Sequence, residues 1–562
     1  MSSAVSYAKP SARLIVLPLL LAFASAGEVM AQTVPTYHAD AARSGRYVVP
    51  QLTWSAANQL HHLSTFSGAV SGPVYAQPLY WLPPKASTGF VIVATETNHV
   101  YALNAETGAV HWHTSLGAAV AGGQLPCGNI NPVGVTGTPV IDEATQTLFV
   151  AALLDEGSGP KNKVFALDLA NGKIKSGWPL DIGAALKAKG KSFNPVIQEQ
   201  RSALAIADNN IYVTYSGRDG DCGKYHGWVV GVSTTSPKLI GSWATTAARG
   251  GIWGQSGAAF DGQYLFATTG NTSGATQWGG GEAVIRFGSS LSFSASPAAY
   301  FAPDDWQALD DADLDLGGTG PLPIQVPVAS GAPLSQLIQF GKDGNAYLLD
   351  REHLGGIGGQ LSFLQVSNGQ IRTAGATYQT ENAAMVTFLA PGTSSAGQLQ
   401  MLSVTSNKQN PITRAWNVNL NGLGAPIVTV TAYDNNVATD PVVWIVGAEG
   451  DNVLHAYNGT TGATLHTDSF VMGGLHHMQT LLCAANRFYV AGDNNVYAFG
   501  FWLAGERQLF VVAVGERRQG RTGKDVSQAM RQRRKAVTLV EILRRIVIAY
   551  GQLHDRTTEV AR

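Results

Sequence analysis

A strand-turn-strand unit recurs along this chain of 562 residues, and a chain assembled by repetition can close into few shapes. The segment FVIVATETNHVYALNAETGAVHW (Phe90 to Trp112) holds an alternating apolar strand, a polar ETN turn, a second strand HVYALN, an ETG turn and a terminal Trp. The pattern returns in Leu148 to Trp178, in VWIVGAEGDNVLHAYNGTTGATLH (Val443 to His466) and in RFYVAGDNNVYAFG (Arg487 to Gly500). Looser copies are Tyr225 to Ser233, Glu282 to Gly288 and Gly341 to Asp350. Each reads as two antiparallel strands joined by a Gly-containing turn. Marking Tyr101, Phe165, Val230, Ile285, Tyr347, Trp416, Tyr457 and Tyr497 gives eight units about 40 to 70 residues apart. That interval fits one four-stranded blade with its loops, and a single blade is too thin to bury its own faces. The expected fold is therefore all-β: one closed propeller of seven or eight four-stranded antiparallel blades, eight in preference to seven, over residues 32–500. A row of β-sandwiches is disfavoured, because one turn signature recurs throughout.

Composition agrees. The chain has 64 Gly, and charged residues make up 13% against the ~25% usual for soluble domains. Lys+Arg number 37 and Asp+Glu 38, which excludes a disordered or nucleic-acid-coating chain.

The two ends differ from the repeat. Lys9 and Arg13 precede an apolar run from Leu14 to Ala24, and small residues follow, as in a secretory signal peptide spanning 1–31. The run is shorter than the ~20 residues of a membrane-spanning helix, although an uncleaved anchor is the other reading. No later segment has the length of a transmembrane span, so the expected location is periplasmic or secreted. From Phe501 to Arg562 the net charge is +7, against −8 for the rest. Ala536 to Leu553 has helical apolar spacing, which suits a membrane surface or a partner groove. The preferred reading is a poorly ordered appendage, translated from a different reading frame, on which no function is built. Of three cysteines, Cys127 and Cys222 are the preferred pair, with three free core thiols the equal alternative. No CxxCH occurs, so no c-type haem is attached.

ALNAETGAVHW resembles the A-x-D-x-x-T-G-x-x-x-W docking motif of the pyrroloquinoline-quinone (PQQ) propellers, the quinoprotein dehydrogenase-like family, with Asn104 in place of the Asp. In that family the Ala and Trp pack between neighbouring blades. The resemblance implies a PQQ cofactor at the ring axis, a floor Trp, a Ca²⁺ held by Glu and Asn, and an Asp base acting on an alcohol. GIWGQSGAAFDGQYLFATTGN (Gly251 to Asn271) is similar to the stretch from the floor Trp to the metal-ligating Asn, which implies Trp253 and Asn271. GKDGNAYLLDR resembles the blade opening that touches the quinone, which implies Lys342. Glu156 lies one residue from the family's metal-ligating Glu. YFAPDDWQALDDADLDLGG resembles the base-bearing segment, but direct superposition puts Gln307 after Trp306, and Gln takes no proton. Asp310 and Asp313 are the expected bases, with Asp311 and Asp315 beside them. The family's adjacent-cysteine pair is missing.

Each assignment has a structural alternative: Trp253 packing a blade, Asn271 in a left-handed turn, Lys342 solvated, and the acidic run a hydrated loop. Two functions stay open. One is an exported quinoprotein oxidoreductase that oxidises an alcohol or sugar with PQQ and Ca²⁺ and passes electrons to a separate acceptor. The other is a non-catalytic scaffold propeller of the outer-membrane assembly type, binding a protein partner. A monomer is expected, because a closed ring has no open sheet edge. His476-His477 reads as a rim feature, and neither GxSxG nor a P-loop is present.

Overall fold

The computed structural model describes residues 32–391 and 396–501. The signal-peptide segment and the basic tail beyond 501 lie outside the described residues. Eight small sheets follow one another along the chain, each of four main antiparallel strands ordered from first to last. Blade 1 is Leu79–Trp81, Phe90–Ala94, His99–Asn104 and Val110–Ser115. Blades 2 to 7 begin at Val140, Gln198, Ala259, Leu322, Ala376 and Ile427. The architecture is an eight-bladed propeller.

The ring is closed by its own beginning. Blade 8 takes three strands from the last described residues, Leu482–Ala484, Arg487–Gly492 and Asn495–Phe501. Its outer strand comes from the N-terminal side, where Leu60–His62 pairs antiparallel with Phe501 to Phe499. Arg46–Val48 likewise adds a parallel strand to blade 7 through Val428 to Val430. The turn signature had pointed to neither pairing.

Apolar residues are buried between blades rather than within them. One core joins Ile92 and Trp112 of blade 1 to Leu148 and Phe165 of blade 2, and another joins Phe340 of blade 5 to Phe388 of blade 6. A single cluster holds Trp444 of blade 7, Phe488 of blade 8 and Val93 of blade 1, which completes the circle. The docking motif explains the spacing. The Trp112 indole donates to the Leu169 carbonyl at 2.7 Å and lies on Gly172 of the next blade. Trp416 repeats this, donating to the Gly459 carbonyl and lying on Gly462. Asn104 fills the Asp position because its side-chain oxygen accepts from the Glu106 and Thr107 amides at 3.0 Å, as the Asp168 carboxylate does from Ala170.

Seven of the eight marked residues sit on the third strand of their blades. Trp416 is the exception, lying on the fourth strand Ile412–Asn421 of blade 6, whose third strand is Ala396–Val404. Cys127 and Cys222 form a disulfide joining the loop after blade 1 to a hairpin of blade 3, while Cys483 is a buried free thiol. Among the described residues no helix is long and apolar enough to cross a membrane.

Candidate functional site

An N-terminal strap crosses the central channel. The buried Arg43 guanidinium donates to the carbonyls of Ala258 at 3.1 Å, Leu204 at 2.9 Å and Tyr37 at 3.3 Å, and to the Thr36 hydroxyl. His38 stacks on Tyr37 at 4.3 Å, takes the Gln77 side-chain oxygen on its backbone amide, and meets the Thr480 hydroxyl. Tyr37 packs with Ala203, Ala374 and Ala425. These partners lie at or just before the first strands of blades 1, 4, 6, 7 and 8 and, in blade 3, just before the inner strand Ala205–Ala207, so the strap forms a floor there. Burial draws the Arg43 pKa down to about 10, partly opposed by Asp40, and the four acceptors replace its lost water.

On one side of this floor the chain approaches the first strand of blade 4 through Gly250 to Gly254. The Gly250 amide donates to the Asn271 carbonyl at 2.7 Å and the Gly270 amide to the Gly251 carbonyl at 2.9 Å, so Trp253 and Asn271 are neighbours. Glycines make the approach possible. A Cβ on Gly270 would stand 2.3 Å from Asp315 Oδ1 and 3.2 Å from the Trp253 indole nitrogen. A Cβ on Gly318 would stand 3.3 Å from the Trp253 ring. Trp253 is half-buried, and the Lys342 ammonium lies 5.2 Å from its ring centroid, within cation-π reach.

Lys342 is 9% exposed and binds two carboxylates. Its Nζ pairs with Asp315 Oδ2, and it stands 3.2 Å from Asp313 Oδ1. Burial weakens its ammonium, but those two partners more than offset this and raise its pKa. Asp315 is 3% exposed, and its Oδ1 accepts the Asn271 amide at 2.6 Å. Burial raises its pKa while Lys342 pulls it down. Asp310 is engaged by Thr272, accepting its amide at 2.7 Å and its hydroxyl. Asp313 ends the helix Trp306–Ala312 in a left-handed conformation, with its side chain in solvent.

Trp253, Asn271, Lys342, Asp310 and Asp313 therefore come together around Asp315. Glu156 does not join them; it stands at an exposed hairpin end of blade 2, paired with Lys163. Asp315 is the carboxylate at the centre, and sequence order within the acidic run carried no signal to choose it. Glu282 escaped notice altogether. It is fully buried, one oxygen accepts the Leu316 amide at 2.5 Å, and the other has no partner. Burial foremost, then the charge of Asp315, pushes its pKa well above the carboxylate range. His476 and His477 pair with Asp493 and Glu449, as rim residues do.

The corner brings together an indole with glycine backbone against it and a buried ammonium that lies within cation-π reach of the ring and is paired with two carboxylates. A hard cation does not find a full donor set. Among the described residues no group of three or more His, Cys, Asp or Glu side chains is placed to hold a metal.

The profile of a family described as "Outer membrane protein assembly factor BamB" matches residues 51–286. No curated protein matches the sequence. Quinohemoprotein alcohol dehydrogenase from Comamonas testosteroni shares the fold at TM-score 0.61 and 14% identity, over 84% of this chain and 81% of that one. A quinohemoprotein alcohol dehydrogenase from Pseudomonas putida HK5 matches at 0.59 and 13%, over 84% and 80%. A europium-containing methanol dehydrogenase matches at 0.57 and 13%, over 84% and 98%.

Proposed function

We propose, starting from the finding that this chain is a propeller of PQQ-like repeats, that it is an exported oxidoreductase which oxidises an alcohol or sugar with PQQ held against Trp253. One observation carries the reading: Trp253, Asn271, Lys342 and Asp315, drawn from separate blades and loops, meet at one point on the approach to the channel floor. PQQ, when bound, supplies an electrophilic carbonyl able to accept hydride.

The chain's own residues supply the rest. Trp253 would offer the flat surface, and Lys342, paired with Asp313 and Asp315, would supply the positive charge beside it for a quinone's oxygens. Asp315, whose pKa burial raises and Lys342 pulls back, is the acceptor for the hydroxyl proton of the substrate. Asp310 and Asp313 then serve as its supports: Asp310 fixes the backbone and hydroxyl of Thr272, and Asp313 shares Lys342. No step is assigned to Ca²⁺, and Glu156 stands apart from Asn271 and Asp315. Electrons would pass to a separate carrier. The Cys127-Cys222 disulfide supports an oxidising compartment, periplasmic or extracellular.

The printed description of the matching family favours a second reading: a non-catalytic scaffold whose mouth binds a partner protein. Dye-linked oxidation separates the two. Protein incubated with PQQ and Ca²⁺ is assayed against a panel of alcohols and sugars. The first reading expects turnover that Asp315→Asn abolishes while PQQ stays bound. PQQ binding without turnover of any substrate would favour the scaffold.

A further inference from the structure

A cavity opens away from the Trp253–Lys342 corner, and neither that corner nor the strap lines it. It encloses about 280 Å³ between loops that lead into blades 6, 7 and 8. Leu389, Leu423 and Met478 form its apolar wall, with Thr373 beside them. Two charged groups border it, Arg372 and Glu449.

These charges differ in kind. Glu449 is partly engaged, because one of its oxygens accepts the His477 amide at 3.0 Å and meets the His477 ring at 2.8 Å. Arg372 is exposed, and among the described residues its guanidinium has no hydrogen bond or ion pair. An unpaired guanidinium presents a planar fork of donors that matches a carboxylate in two-point geometry. The cavity lies just under the ~300 Å³ at which ordinary ligand pockets begin, so its occupant is small.

We infer that this cavity binds a small organic monocarboxylate, with the carboxylate on Arg372 and an aromatic or branched aliphatic body against Leu389, Leu423 and Met478. The site is separate from the quinone corner. Ile371 stands between them, its carbonyl 3.0 Å from the Cβ position of Gly318, the glycine that packs on Trp253. A ligand here would sit one residue away from the Trp253 platform, and its binding needs no quinone.

Calorimetric titration of the full chain with benzoate, benzamide and acetate tests this. Benzoate should bind, with benzamide and acetate at least tenfold weaker, because one lacks the charge and the other the body. Arg372→Gln should weaken benzoate at least tenfold and leave benzamide unchanged; Arg372→Lys should retain part of the affinity, showing that the site still folds. Leu423→Trp, which fills the cavity, should abolish both. Equal affinity for benzoate and benzamide, no benzoate binding, or binding lost in Lys342→Gln but kept in Arg372→Gln would overturn the assignment.

Discussion

Lys342 and Asp315 form a buried ion pair in which the ammonium also lies over the Trp253 ring, while the carboxylate takes the Asn271 amide. One cation thereby orders the residues at the quinone corner. Removing it should be costly, because a buried carboxylate without its partner is left uncompensated, at about 3–5 kcal/mol. Lys342→Met is expected to lower unfolding free energy by roughly that much, and Lys342→Met with Asp315→Asn to recover most of it. Chemical denaturation of the single and double variants checks this; equal losses in both would show that the pair is not the source.

The lock between blades makes a sharper steric prediction. Gly172 has φ +71°, and a Cβ there would stand 2.5 Å from the Trp112 ring. Gly157 has φ +73° with nothing within 4 Å. Gly157→Ala should therefore show backbone strain alone, about 1 kcal/mol. Gly172→Ala adds overpacking of about 1–3 kcal/mol. Denaturant midpoints for the two variants separate the effects, and equal shifts would mean that the indole yields freely.

The disulfide spans 95 residues of sequence. Replacing both Cys127 and Cys222 by Ser should lower stability by about 2–4 kcal/mol, mainly by freeing the unfolded chain. Thiol titration of the wild type in denaturant should find one reactive group, the buried Cys483, and three would contradict the pairing.

Glu96 sets a pH dependence. It is fully buried with one oxygen on the Gly134 amide at 2.7 Å, and burial, opposed by that amide, raises its pKa from 4.5 to about 8. The folded protein then holds a proton that the unfolded chain has released, so stability is full below pH ~4.5 and falls as pH rises towards 8. Glu96→Gln should stabilise the protein at pH 8 relative to pH 4, and denaturant midpoints across that range would show it. A shift equal at both ends would point to packing instead of ionisation.

The repeat was legible because turn chemistry is local. Asn104, Asp168 and Asn458 each accept amides of the next few residues, and a glycine follows at positive φ. Blade 6 misled because its third strand, AGQLQMLSV, alternates glutamines where other blades place aromatics, which left Trp416 of the fourth strand as the visible marker. Ring closure was hidden: Leu60–His62 is three residues long and meets Phe501 across the whole ring. The site was half legible. Trp253, Asn271 and Lys342 stood in recognisable surroundings, but which Asp of the run faces Lys342 depends on the helix Trp306–Ala312 and its left-handed end at Asp313, which residue order does not express. Glu282 follows a glycine run and opens a looser copy of the repeat, where nothing but its burial marks it as a site residue.

Trp253 and Lys342, as proposed above, form the platform for a quinone. Equilibrium dialysis of PQQ against the purified chain, read by quinone absorbance with and without Ca²⁺, tests it directly. The account predicts one PQQ per chain, with affinity at least tenfold weaker in Trp253→Ala and in Lys342→Gln and unchanged in Lys163→Gln. Absence of binding in the wild type, or binding indifferent to Trp253 and Lys342, would contradict it.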